Sequence, residues 1–431
     1  MKKLNYLIAM EKLLHYVWKY KLFPEQLKTS DGQIIEVIDV GKQNTDAGPD
    51  FFNAKLKIDD KIWAGNIEIH TKASDWYVHQ HHLDKGYNSV ILHVVHLLND
   101  KALNEFGQPV PQCEIKIPPR IFQNYEYLLA VEHRLPCSGY IGHLPQIHLK
   151  SWIESLLVER LERKSEHIFA LLKRFDNSWD DVFYVLLSRN MGFGLNSEPF
   201  ERLALVTPLQ VLRKHNDNIL QIEALLFGQA GLLSPSSDGT DDYFFRLQKE
   251  YLFFQSKYNL SPLNSFFFKK LRVRPSGSPF VRIAQLSVLC QRIQGLFAYI
   301  LEESDILRIR LKFHVNASEY WQTHYSFKDE SARKNKYLGD ASLNTILINT
   351  VVPLLFAYGM KTCSEKYMEK AVLILESLRP EYNAIVRAFR EAGLVLSTAC
   401  DSQALIQLMN EYCEKKKCLF CRIGYRMLNE K

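Results

Sequence analysis

The chain has 431 residues, 47% hydrophobic and 24% charged, with 54 Lys and Arg against 48 Asp and Glu for a net charge of +6. These are ordinary globular proportions, and they exclude a disordered chain, a collagen-like fibre and a coiled-coil rod. The length calls for two or more domains, and the mildly basic balance permits a nucleic-acid or other anionic partner without demanding one.

Lys2 and Lys3 precede a short apolar run that Glu11 and Lys12 interrupt, with no small-residue cleavage site after it, so no export signal is expected. Leu7 to Phe23 has apolar residues at helical spacing and predicts a helix. Gln33 to Val40, rich in Ile and Val, predicts a strand. Asp50 to Ile58 and Lys61 to Lys72 predict two strands of a hairpin turning at Asp59-Asp60. Ala73 to Leu83 predicts a short helix capped by Ser74 or Asp75. Ser89 to Leu98 is an almost unbroken apolar run, the pattern of a strand buried on both faces. Val110 to Ile117 predicts one more strand, and from His148 onward the spacing turns helical. Thr345 to Met360 is the nearest approach to a membrane span, but it is short, contains Asn349 and Pro353, and reads as a buried helix. The expected architecture is α+β: an α/β domain over residues 1–145, then a mostly helical domain over 146–431 carrying a C-terminal cysteine cluster. A cytoplasmic location is expected, with no membrane partner.

The stretch with the most chemistry is Asp46-Ala47-Gly48-Pro49-Asp50-Phe51, followed by Gly65-Asn66-Ile67-Glu68-Ile69-His70-Thr71-Lys72. Alternate side chains of a strand share a face, so Glu68, His70 and Lys72 point one way and Ile67 and Ile69 the other. The hairpin sets Asp50 beside them. Carboxylates are the hard ligands that Mg²⁺ or Mn²⁺ prefers, and Glu11 on the first helix is a candidate third one. Pro49-Asp50, then Glu68-Ile69-His70 after a hairpin, in the order αβββαβ, resembles the PD-(D/E)XK nuclease superfamily. That resemblance implies a restriction-endonuclease-like fold, with Asp50 and Glu68 binding metal. His70 stands where the superfamily places a lysine that assists the water, and Lys72 lies two residues further on. Over nearly its full length the chain is also similar to an uncharacterised bacterial family, the domain of unknown function numbered 2851. That likeness rests on AGPDF (47–51), EIH (68–70), SDW (74–76), HQH (79–81), ILHVV (91–95) and the cysteine-containing C-terminal segment, and it implies no activity.

Six of the fourteen histidines fall between His70 and His96. His93, inside an apolar strand, reads as a satisfied core histidine. His79 and His81 are candidates for phosphate or metal contact. Four of the eight cysteines crowd the end of the chain: Cys400, Cys413, Cys418 and Cys421. A C-x2-C pair can chelate one ion, so these four form a possible second metal site for Zn²⁺ or an iron–sulfur cluster. Unligated buried cysteines are the competing reading. The expected function is metal-dependent phosphodiester hydrolysis at Asp50, Glu68, His70 and Lys72. The alternatives are a non-catalytic scaffold binding nucleic acid or protein, and a metal-dependent hydrolase built on the histidine cluster.

Overall fold

The computed structural model describes residues 2–23, 26–44, 46–131, 135–234, 241–270, 275–327 and 330–429. The chain is mixed α+β and divides into two compact units, one made of Met1–Leu144 with Met409–Lys431 and the other of Pro145–Leu408.

In the first unit a helix, α1 (Lys2–Lys19), precedes seven strands: β1 (Leu27–Lys28), β2 (Ile34–Asp39), β3 (Lys42–Gln43), β4 (Phe51–Ile58), β5 (Lys61–Lys72), β6 (Val90–Leu97) and β7 (Gln112–Glu114). They form one sheet in the order β1-β2-β4-β5-β6-β7, with β3 also on β4. Pairings are antiparallel from β1 to β5, then parallel for β5 with β6 and β6 with β7. The hairpin is tight because Asp59, at φ 48°, adopts the left-handed backbone that a two-residue turn requires. A parallel neighbour needs a crossover, which a short helix, α2 (Asp75–Val78), and two 3₁₀ turns provide. The sheet's two ends meet where Thr29 bridges Cys113 and the Ser30 N–H donates to the Gln112 carbonyl at 2.8 Å.

α1 covers one face of this sheet. Leu13, Leu14 and Val17 pack with Ile67, Ile69, Leu92 and Val94 in a single buried cluster. By strand alternation Glu68 and His70 therefore point to the opposite face, and both are buried there. Gly65 lets β5 approach its parallel neighbour, since a Cβ at that position would lie 2.4 Å from the Ile91 side chain and 2.7 Å from the Ser89 carbonyl.

The second unit is helical, opening with the 29-residue helix Gln146–Arg174. The helical apolar spacing over 198–212 is divided at Pro208, and that over 279–301 at Gly295, whose φ is +71°. The apolar segment around Asn349 is longer than its sequence suggested. Asp340–Thr362 is long and apolar enough to cross a membrane by length and composition, and 72% of its apolar window is buried inside the unit. Asn349 within it accepts from Lys164 Nζ at 2.9 Å.

One boundary departs from the sequence reading, which kept the chain's end in the helical domain. Residues 409–431 return to the first unit, where Leu419 and Leu428 join the cluster beneath α1 and Asn429 Nδ2 donates to Tyr16 Oη at 2.7 Å.

Gly65→Ala should destabilise the first unit by about 1–3 kcal/mol, because the methyl overlaps both Ile91 and the Ser89 backbone. Gly139→Ala, with nothing within 4 Å of the added Cβ, should change stability far less. Chemical denaturation compares the two, and equal effects would refute this account of Gly65.

Candidate functional site

The loop before β4 is tied down by one side chain. Asn44 Nδ2 donates to the carbonyls of Asp46, Ala47 and Pro49 at 3.0, 3.3 and 3.1 Å, and Gly48 takes a φ of +105°. This presents Asp50 to β5. There Asp50 Oδ2 accepts the Ile69 N–H at 2.9 Å, while Glu68 Oε2 accepts the Asp50 N–H at 3.2 Å. Each carboxylate thus holds the other's strand, and the two acidic residues singled out in the sequence come together. α1 adds Glu11 and His15, one helical turn apart on a single face. His15 Nε2 lies 3.3 Å from Asp50 Oδ2.

Burial dominates the electrostatics. It raises the Glu68 pKa well above the carboxylate range, and the Asp50 charge pushes the same way against the bond from the Asp50 N–H. Glu11 is raised by burial and by Asp50, with His15 opposing. Burial disfavours protonation of His15, but its close approach to Asp50 and the charges of Asp50 and Glu11 outweigh it, and its pKa rises.

The histidines behind Glu68 form a chain. Gln112 Nε2 lies 3.2 Å from His93 Nδ1, His93 Nε2 lies 2.9 Å from His70 Nδ1, and His70 Nε2 lies 3.0 Å from His79 Nδ1. One backbone amide gives this chain its direction. The Ala102 N–H, necessarily a donor, meets Gln112 Oε1 at 3.2 Å, so the Gln112 NH₂ must face His93. His93 then accepts at Nδ1 and donates from Nε2, and His70 accepts at Nδ1 and carries its proton on Nε2. That N–H points toward His79 and toward Glu68 Oε1, 3.4 Å away. Burial, helped by neighbouring imidazoles, lowers His70 to about 2 and His93 to about 3, so both rings are neutral. His81 stacks on Tyr87 with ring centroids 3.7 Å apart, and its Nε2 lies 3.2 Å from Glu68 Oε1.

Asp50, Glu68, His70, His79 and His81 are therefore gathered, with Glu11 beside them. The ligand atoms of His70, His79 and His81 lie within 4.8 Å of one another. Lys72 is exposed at the end of β5, where its backbone N–H donates to Asp75 Oδ2 at 3.0 Å. Cys413, Cys418 and Cys421 come together in the first unit, whereas Cys400 lies in the helical unit, with its sulfur 4.0 Å from the Val372 carbonyl. His15, Tyr87, His93 and Gln112 were not singled out for the site. For His15 a signal existed, namely its spacing of four from Glu11.

A family model described as "Protein of unknown function (DUF2851)" matches residues 11–384. The chain belongs to the DUF2851 family. No curated protein and no solved structure matches it. The DUF2851 match spans Glu11, both clasped carboxylates and the whole imidazole chain, and it ends before Cys413.

The neutral imidazoles set a pH dependence. His93 binds a proton less readily in the folded protein than at its ordinary 6.5, so below pH 6.5 the unfolded chain takes up more protons than the folded one. Its contribution is complete above pH 6.5 and is lost as pH falls from there toward 3, amounting to about 2 kcal/mol by pH 5. Glu68, raised, acts with the opposite sign, so the decisive comparison is between variants. Denaturation at pH 7.5 and pH 5 should show a smaller acid loss in His93→Gln than in the wild type, and parallel losses would refute it.

Proposed function

We propose that the first unit is a divalent-metal-dependent phosphodiesterase acting on nucleic acid, with a restriction-endonuclease-like αβββαβ core and a PD-(D/E)XK-like site. The reading is carried by one observation. Asp50 and Glu68, clasped across β4 and β5, have the buried Nε2 atoms of His15 and His81 close to their oxygens, and neither nitrogen has a hydrogen-bond partner among the described residues. Imidazole nitrogens and carboxylate oxygens held this close without bonding offer lone pairs that suit a shared cation. Glu68, whose charge burial resists, also needs one to ionise beside Asp50.

Oxygen donors from Asp50 and Glu68, with Glu11 nearby, fit Mg²⁺ or Mn²⁺, and imidazole nitrogen is acceptable to Mn²⁺. Such an ion, when bound, makes water more acidic and stabilises charge on an attacked phosphoryl group. The chain's own residues do the positioning. Asn44 fixes the loop of Asp50, and Asp75 accepts from Thr71 and Lys72 to anchor the turn that carries His79. His70 stands in the lysine's place as a neutral N–H donor, so it orients a water or a phosphoryl oxygen but adds no positive charge.

The missing lysine favours the second reading, a non-catalytic nucleic-acid- or protein-binding scaffold. A histidine-held zinc hydrolase is less favoured, because His70 offers Nε2–H and not a lone pair toward His79 and His81.

The test is cleavage of labelled single- and double-stranded DNA and RNA with Mg²⁺ or Mn²⁺. Wild type should cut, and Asp50→Ala/Glu68→Ala should lose at least about 100-fold of the rate. Equal binding without cutting by either protein would select the scaffold. Activity that needs Zn²⁺ and is lost in His79→Ala/His81→Ala but kept in the carboxylate variant would select the histidine hydrolase.

A further inference from the structure

We infer that Cys137, Cys413, Cys418 and Cys421 form a four-thiolate site for a soft metal, with Cys137 in place of Cys400 as the fourth ligand. All four line one cavity, together with Leu128, Pro136, Tyr412 and Gly424. The cavity is about 20 Å³, above the ~10–15 Å³ that a single water-sized body needs. Among the described residues its lining has no carboxylate and no imidazole, so four sulfurs dominate its polar chemistry. That donor set rejects Mg²⁺ and Ca²⁺ and selects zinc or iron–sulfur chemistry.

The backbone is shaped to bring the sulfurs in. Cys413 closes a π-helical turn, Leu408–Cys413, a distortion often found at functional sites. Lys416, at φ 51°, reverses the chain, and a 3₁₀ turn, Cys418–Phe420, then sets Cys418 and Cys421 three residues apart. A two-residue spacer is the usual half of a chelating thiolate pair. Cys137 approaches from the segment just before the short helix Ser138–Ile141. Gly424 permits the closure, because a Cβ there would lie 2.1 Å from the Cys418 carbonyl oxygen. Four thiolates around a divalent ion leave excess negative charge. The Lys416 ammonium, held by the Val131 carbonyl at 2.9 Å, acts on Cys418 with the sign that offsets it.

The competing explanation is a set of inert core cysteines. Burial does push the free thiols up, Cys137 to about 12 and Cys418 to about 11. A metal must therefore displace protons from them, and its binding should weaken as pH falls. Core packing alone explains neither the chelate spacing nor a cavity that four sulfurs share.

The full chain, purified without chelators and under anaerobic conditions, should be analysed for zinc, iron and acid-labile sulfide. Wild type should carry either about one zinc per chain or several irons with matching sulfide and visible absorption. Both outcomes support the site, and they distinguish the two metal chemistries. Cys137→Ser and Cys418→Ser should lose at least tenfold of that metal, and Cys400→Ser should keep it. A serine variant that folds poorly leaves a second measurement on the wild type. Stepwise modification of thiols by an organomercurial should release the metal in proportion to the thiols lost. Less than a tenth of a metal per chain in wild type overturns the inference. So does metal retained by Cys137→Ser but lost in Asp50→Ala/Glu68→Ala, because the ion would then belong to the carboxylate site.

Discussion

Two carboxylates that hold each other's strands organise the first unit. Burying an ionisable side chain is costly unless it finds bonds of its own. Asp50 and Glu68 each accept a backbone N–H at the point where β4 meets β5. The ladder of β4 and β5 is irregular between Phe51 and Ala54 and its last pair is Phe51 with Ile67, so these two bonds carry the join one step past that pair. The same bonds hold the carboxyl groups against each other although burial resists the charge of Glu68. On the proposed function the same atoms would serve a structural role and a reactive one, and removing either side chain leaves a backbone donor without its carboxylate acceptor.

Behind the clasp, the imidazole chain turns a backbone constraint into a chemical one. The Ala102 N–H orients the Gln112 amide, and Gln112 sets the tautomer of His93, which sets that of His70. The result is a neutral ring whose outward nitrogen is a donor. Neutral rings are the low-cost choice in this place. Trp76 packs against both His81 and His93, and a charged imidazolium there would lose its hydration. A lysine at position 70 would bring a charge into the same surroundings without the relayed hydrogen bonds that satisfy the ring. A histidine at position 70 therefore suits the environment built around it.

Much of this was legible in local pattern. The hairpin of β4 and β5 showed in its alternation and in the Asp59-Asp60 turn, β6 in its continuous apolar run, and the shared face of Glu68 and His70 in strand parity. What stayed hidden depends on register and long-range closure. His93 reads as a core residue because its neighbours are apolar, and only the parallel pairing of β5 with β6 sets it beside His70. Gln112 gives no local sign of its task. The two helices divided at Pro208 and Gly295 had their breakers in plain view, but the apolar spacing runs on past both. Cys137 is separated from the other three cysteines by the whole helical unit, and Cys400, nearer in sequence, was the more visible candidate.

The return of residues 409–431 bears directly on the carboxylate site. The C-terminal helix, Arg422–Asn429, places Tyr425 against Tyr16 and Tyr20 and bonds Asn429 to Tyr16. Leu419 and Leu428 sit in the same apolar cluster as Leu13 and Leu14. α1 therefore has a covering that comes from the far end of the chain, and α1 carries Glu11 and His15. Those two residues reach Asp50 only while the helix keeps its rotation and height over the sheet. On the four-thiolate proposal, a metal tying Cys413, Cys418 and Cys421 to Cys137 fixes the segment that leads into this covering helix. Its contribution to the proposed chemistry at Asp50 would then be positional: a thiolate centre whose lining, among the described residues, includes neither carboxylate would set how firmly α1 holds Glu11 and His15 beside them.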